Sequence, residues 1–284
     1  MRSEAELAEI RRRYAQHILA AAGVTSPAIE DAFATVKREH YLGPGPWKIF
    51  RWTGYETTAN DDPAALYANV LIGIIPERGL NNGQPSGHAM WLEAAAPRPG
   101  EHAVHIGAGV GYYTAIIAHL VGPTGRVTAI EHEPALADRA KTNLAHLPNV
   151  TVLQGNGADM PLDPADVIYV SAGTTRPMDT WLDALKDGGR LILPLTTNAR
   201  ISADGSPKGG MFRIERRGDD YLASLVSGAL FIPGEGMRDA VSEAALAAGF
   251  AKDSPESVTR LYRTDDLPDD QCWAKAPGWC LAYY

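Results

Sequence analysis

Apolar positions recur at two spacings along the chain, and the change from one to the other divides it. From Glu4 to Ala22 the stripe Leu7, Ile10, Tyr14, Ile18 and Leu19 has helical spacing, and Gly23 ends it. Ser26 and Pro27 supply an N-cap and a first-turn proline for a second helix, with apolar face Ile29, Ala32, Phe33 and Val36. Arg38-Glu39-His40-Tyr41 follows, then the breaker Gly43-Pro44-Gly45-Pro46. Trp47 to Asp62 has no period and is rich in Tyr, Trp and Thr. It reads as a substrate cover or as a plain surface loop. Gly79-Leu80-Asn81-Asn82-Gly83-Gln84-Pro85 is a turn cluster, and a helix is predicted from about Ser86 to Ala96.

Beyond Pro97-Arg98-Pro99-Gly100, short apolar runs alternate with helical patterns. Strands are predicted at Ala103–Ile106, Arg126–Ile130, Val150–Leu153, Asp166–Val170 and Arg190–Leu195. Helices are predicted at Tyr113–Leu120, Pro134–His146 and Pro177–Lys186, the last stopped by Gly188-Gly189. Such alternation predicts an α/β fold, a doubly wound, mostly parallel sheet covered on both faces. Met211–Arg216 and Tyr221–Ser227, joined by Arg217-Gly218-Asp219-Asp220, read as a hairpin adding an antiparallel edge. The rest holds a helix, Arg238–Ala248, and a tail with Trp273, Trp279, Tyr283 and Tyr284. Tail aromatics dock on their own domain or bind a partner. The expected organisation is a helical cap over 1–78, a ligand-binding core over 79–235 and a C-terminal extension over 236–284.

Chemistry enters at the first strand of the alternating part. Gly107, Gly109 and Gly111 form a strand–turn–helix joint with G-x-G-x-G spacing. Helix-start amides face a ligand there. Dinucleotide enzymes write this joint G-x-G-x-x-G; the spacing seen here is commoner in methyltransferases that bind S-adenosylmethionine. A turn that needs glycine only for backbone shape satisfies the same spacing. Glu131 ends the second strand, about 20 residues after the glycines, where a carboxylate accepts from both ribose hydroxyls. It reads equally as an acid opening the helix at Pro134. Ligands in such sheets lie beyond the carboxyl ends of the strands. That edge gathers Gly107 to Gly111, Glu131, Asn156 and Ser171.

Size and charge narrow the rest. A chain of 284 residues can bury a large core. Its net charge of -8 argues against general nucleic-acid binding. No apolar run approaches the roughly 20 residues of a membrane span, and Met1-Arg2-Ser3-Glu4 opens no signal peptide, so a cytoplasmic enzyme is expected. Cys272 and Cys280 could bridge, but two thiols in a cytosolic chain are more often reduced, and the sequence leaves their redox state open. No Cys/His group has zinc-ligand spacing, and no metal is expected.

Taken as a set, these residues resemble the protein-L-isoaspartate O-methyltransferases, a family of class I, Rossmann-like methyltransferases. The resemblance rests on Ala32 to Tyr41, Val104 to Tyr112, Glu131, Gly155-Asn156-Gly157, Lys186 to Pro194 and Phe231-Ile232-Pro233, the last matching the family's closing strand. It spans roughly residues 10 to 235. It implies S-adenosylmethionine as cofactor, held by His105, Gly107, Ala108, Gly109, Gly111, Glu131, His132, Asn156, Gly157 and Ser171. It implies methyl transfer to the carboxylate of an Asp or isoAsp residue in a peptide or protein, with Asn82 and Gly83 at the transferring site. Asn81 belongs to the same acceptor side, and His88 and the Trp47 to Thr58 segment, including Trp52, frame it or merely pack. A carboxylate is already ionised at neutral pH, so no general base and no triad are expected.

Three departures from the family's pattern stand out. His105 replaces its acid. Asn156 replaces the aspartate of its G-D-G turn but keeps an acceptor. Gly83 replaces the serine of G-Q-T-I-S-Q-P, removing a hydroxyl. A small-molecule acceptor and a non-catalytic binding module are therefore kept as alternatives, with a dinucleotide oxidoreductase last. The oligomeric state is not indicated.

Overall fold

The computed structural model describes residues 2–51, 53–201 and 207–284. Trp52 lies outside the described residues. Helix α1 (Glu4–Ala22) starts on a capping box between Ser3 and Glu6 and ends on Gly23 in the left-handed region. Helices α2 (Pro27–Thr35) and α3 (Glu39–Leu42) follow. The stretch expected to be irregular contains a hairpin, β1 (Lys48–Arg51) and β2 (Gly54–Thr57), in register from Lys48↔Thr57 to Arg51↔Gly54. Most of its residues are exposed or half-buried, so no apolar alternation marked the strands. The short strands β3 (Gly73–Ile75) and β4 (Leu80–Asn81) then deliver the chain to helix α4 (Pro85–Ala95).

The alternating part follows as β5 (His102–Ile106), α5 (Tyr112–Val121), β6 (Arg126–Glu131), α6 (Pro134–Leu144), β7 (Val150–Gln154), β8 (Ala165–Val170), α7 (Asp179–Ala184) and β9 (Leu185–Ile201). Then come β10 (Pro207–Arg217), β11 (Asp220–Gly228), α8 (Ala240–Lys252), β12 (Arg260–Tyr262), β13 (Cys272–Ala276) and β14 (Trp279–Ala282). One 10-stranded sheet has the order β13-β14-β12-β11-β10-β9-β8-β5-β6-β7. From β9 to β7 the pairs are parallel, and from β9 to β13 they are antiparallel. Every residue of β5 is buried, as a central parallel strand covered on both faces requires.

Several sequence expectations are revised or made specific. Helix α7 stops at Ala184, ahead of Gly188-Gly189, because Leu185 already pairs with Ala165 in the sheet. Phe231-Ile232-Pro233 makes no strand; Pro233 forms an isolated bridge to Gly173. The aromatic tail is two sheet strands, with Trp273 and Trp279 buried and Tyr284 exposed. Adjacent strands also bring the Cα atoms of Cys272 and Cys280 to 6.1 Å, and the two are joined as a disulfide rather than held as thiols.

One buried charge ties the N-terminal segment together and to helix α5. Arg38 is 0% exposed. Its guanidinium donates to the carbonyls of Leu66 (2.6 Å), Ala68 (3.2 Å) and Val70 (3.0 Å). It also lies 5.7 Å from the ring centroid of Tyr112 in α5 and 5.9 Å from that of Tyr14 in α1. A buried charge is tolerated only when it is partnered in this way.

Candidate functional site

The strand order reverses at β5. The chain runs from β5 to β6 and β7 on one side, then returns to β8 and β9 on the other. The crevice at such a switch point is where ligands lie in open α/β sheets. Its floor is the glycine turn after β5 and Ser171 after β8. The amides of Gly107 and Ala108 donate to the Ile130 carbonyl, which fixes the turn against β6. Gly109 has φ +56, and a Cβ there would meet nothing nearer than Ile74 Cδ1 at 3.9 Å. The turn thus presents bare backbone to open space, which suits close approach by a ligand.

Glu131 is 7% exposed at the end of β6. Its Oε2 accepts from the Gly109 amide at 2.6 Å and its Oε1 from the Glu133 amide at 2.9 Å. Burial raises its pKa above the ordinary 4.5, and the two backbone donors oppose that. Each oxygen keeps acceptor capacity for a further donor. Asn156 closes a turn, its Oδ1 accepting from Ala158 at 3.0 Å and its Nδ2 donating to Asp159 at 2.8 Å. Gly157 is buried, and its Cα faces Ile106 Cγ2, 2.5 Å from where a Cβ would stand. His132 is exposed, and its carbonyl accepts from Gln154.

His105 and Ser171 lie in the floor itself. His105 is 1% exposed, with Nδ1 2.8 Å from Thr114 Oγ1 and Nε2 3.0 Å from Ser171 Oγ. Burial pushes its pKa down to about 3, so the ring is neutral, with one nitrogen donating and the other accepting.

A cavity of about 490 Å³ runs from this floor to the cap. The far wall is Asn81, Asn82, Gly83 and His88, with Trp91, Tyr113 and Phe231 as aromatic sides. Asn82 is 7% exposed. Its Oδ1 accepts from the Ile72 amide at 2.9 Å, while its buried Nδ2 has no partner among the described residues. Asn81 instead serves the turn, accepting from the Gly83 amide and donating to the Gly79 carbonyl. The cavity therefore joins His105, Gly107, Ala108, Gly109 and Ser171 to Asn82 and Gly83. Gly111, Glu131, His132, Asn156 and Gly157 do not line it: Gly111 packs against Leu144 of α6, and Glu131 is hydrogen-bonded to the Gly109 amide. No group of three or more His, Cys, Asp or Glu among the described residues is placed to hold a metal.

Comparison with known proteins decides the family. The model of protein-L-isoaspartate(D-aspartate) O-methyltransferase matches residues 13–233. The chain belongs to the protein-L-isoaspartate O-methyltransferase family. The family's enzyme from Ignicoccus hospitalis is 29% identical over 229 residues, covering 79% of this chain and 97% of that one. The one from Methylorubrum populi is 30% identical over 229 residues, covering 78% and 93%. A solved structure of a protein-L-isoaspartate O-methyltransferase superposes with a TM-score of 0.63 at 26% identity, covering 79% of this chain and 66% of that one. A Plasmodium falciparum protein, solved with S-adenosyl-L-homocysteine and described as a putative family member, shares the fold with a TM-score of 0.61 at 16% identity. The chain is thus an S-adenosylmethionine-dependent methyltransferase with an α/β fold.

The residues present fit that cofactor. Gly109 leaves room where a ligand must pass, and the buried carboxylate beside it still has acceptor capacity. Sequence reasoning missed Thr114, Tyr169, Trp91 and Tyr113, which hold or wall the site. Each sits in a helix or strand at core spacing, which gives the same signal as ordinary packing.

Proposed function

We propose that this protein transfers the methyl group of S-adenosylmethionine to the side-chain carboxylate of an aspartyl or isoaspartyl residue in a peptide or protein. What supports the reading is a single cavity that extends from the glycine turn to the unpartnered amide of Asn82. Donor and acceptor can therefore meet in one pocket. When bound, the cofactor supplies an electrophilic methyl on a positively charged sulfur. Glu131 holds the ribose hydroxyls, the turn from Gly107 to Gly111 supports the nucleoside, and His105 orients the Ser171 hydroxyl. Asn156, Gly157 and the exposed His132 border the adenine end. Asn82 Nδ2 donates to one carboxylate oxygen and leaves the other to attack. The carboxylate needs no base, so the chain's task is orientation and exclusion of water. The net charge of -8 supports an acceptor other than nucleic acid.

The test is methylation of an isoaspartyl peptide and its aspartyl twin with labelled S-adenosylmethionine, read as base-labile methyl ester. Label on either peptide is expected. Two unlabelled peptides beside a labelled metabolite pool would move the acceptor to a small molecule.

A further inference from the structure

His88 lies in the first turn of α4 and is 2% exposed. Its ring stacks on Tyr113 at 3.5 Å between centroids and 11° between planes. Trp91 meets it edge-on at 5.1 Å. Its Nδ1 is 2.9 Å from the Tyr169 hydroxyl. Three aromatic residues, Tyr113, Trp91 and Tyr169, therefore fix one orientation of the imidazole.

That orientation aims Nε2 at Gly83. A Cβ built on Gly83 would stand 2.3 Å from Nε2 and 2.9 Å from Cδ2. Gly83 also has φ +73, which disfavours any side chain there. Tyr113, whose ring carries the stack, donates to the Gly83 carbonyl at 3.4 Å and holds the two residues in register. The missing side chain at 83 and the inserted imidazole are thus one arrangement. Gly83 is where the resemblance places a serine, so the hydroxyl lost there is matched by a ring nitrogen at the same wall of the cavity.

We propose that His88 binds the methyl acceptor, its Nε2–H donating to the carboxylate beside Asn82 Nδ2 in place of a hydroxyl on residue 83. The proposal rests on the carboxylate acceptor of the preceding section. Tyr169 sets the proton's position. Its buried hydroxyl has no other hydrogen-bond partner among the described residues, so it donates to Nδ1, and the ring's own proton goes to Nε2. The groups facing the ring are Tyr113, Tyr169 and Trp91, with His105 and Arg38 further off. Burial, His105 and Arg38 all favour the neutral ring, which keeps a second positive charge away from the sulfonium.

The first readout is the tautomer. Two-bond ¹H–¹⁵N spectra of the ¹⁵N-histidine-labelled protein, loaded with S-adenosyl-L-homocysteine, are recorded at pH 6 and pH 8. A neutral Nε2–H ring at both is expected, with mixed tautomers in Tyr169→Phe. A protonated ring, or an Nδ1–H tautomer, overturns the proposal. The second readout is kinetic, with the isoaspartyl peptide. His88→Phe keeps the stack and lowers kcat/KM at least about tenfold, as loss of one hydrogen bond to a charged group predicts. His88→Gln keeps a donor and loses less, and calorimetric affinity for S-adenosyl-L-homocysteine stays at the wild-type value in both. Wild-type kcat/KM in His88→Phe overturns the proposal. A wild-type protein that leaves the peptide unmethylated contradicts the acceptor reading instead, and the tautomer then decides for or against His88.

Discussion

The carboxylate of Glu131 accepts the amide of Gly109 at 2.6 Å, which locks the end of β6 to the apex of the glycine turn. The residue proposed to hold the ribose thus also shapes the surface under the nucleoside. Glu131→Ala should weaken S-adenosylmethionine binding by about tenfold to a hundredfold, roughly 1.4–2.8 kcal/mol. Glu131→Gln should lose less, because an amide oxygen still accepts. Calorimetric titration measures both, and wild-type affinity in Glu131→Ala would remove the ribose assignment.

Three buried histidines, His88, His102 and His105, predict a pH dependence of stability. An unfolded histidine takes up a proton near pH 6.5, whereas folded His105 does so only at about 3. Between those values the unfolded state binds more protons, so stability falls as pH falls below about 6.5. The slope is about 1.4 kcal/mol per pH unit for one such group. His88 and His102 are lowered by burial in the same direction and add to it. Glu131, raised by burial, acts in the opposite sense: its contribution is present at low pH and is lost as pH rises through its folded value. Urea midpoints at pH 7, 6 and 5 should decline, and His105→Gln should decline less steeply. A flat wild-type profile would contradict neutral burial of these rings.

Arg38 fills a buried position with a charge held by three backbone carbonyls and two aromatic faces, its Nε alone being without a hydrogen-bond partner among the described residues. Arg38→Met should orphan the carbonyls of Leu66 and Val70, while that of Ala68 keeps the Val70 amide, and should cost about 3–5 kcal/mol. Arg38→Lys, which lacks the planar fork, should recover only part of that. Equilibrium urea unfolding distinguishes the three proteins. Equal midpoints would mean that the cap does not depend on this anchor.

The C-terminal strands finish the sheet rather than decorate it. β12 pairs with β11, and Trp273 packs against Phe212 at 5.8 Å between centroids. A chain ended after Gly234 should bare the β11 edge and the apolar face under α8, and should associate or precipitate. Light scattering of the truncated protein checks this. A monodisperse monomer with wild-type unfolding would show that the extension is dispensable for the core.

How much was readable from sequence depended on distance along the chain. The strand, glycine turn and helix from His102 to Val121 are one local unit, and Glu131 follows at a spacing that geometry dictates. His88 and Tyr169 are 81 residues apart, and only the folded sheet brings them to 2.9 Å. No sequence pattern announces three backbone carbonyls converging on Arg38, so its burial was not legible. Strands β12, β13 and β14 are short and mostly buried, so they lack the alternation that marks a half-exposed strand.

The cofactor's place over the glycine turn is tested most directly by calorimetric titration of S-adenosylmethionine into the wild-type protein and into Gly109→Val. The wild type should bind with a Kd near micromolar, about -8 kcal/mol. The variant, whose side chain enters the open space above the turn, should show no heat while remaining folded by circular dichroism. Equal affinity in the two proteins, or no binding by the wild type up to millimolar ligand, would contradict the account.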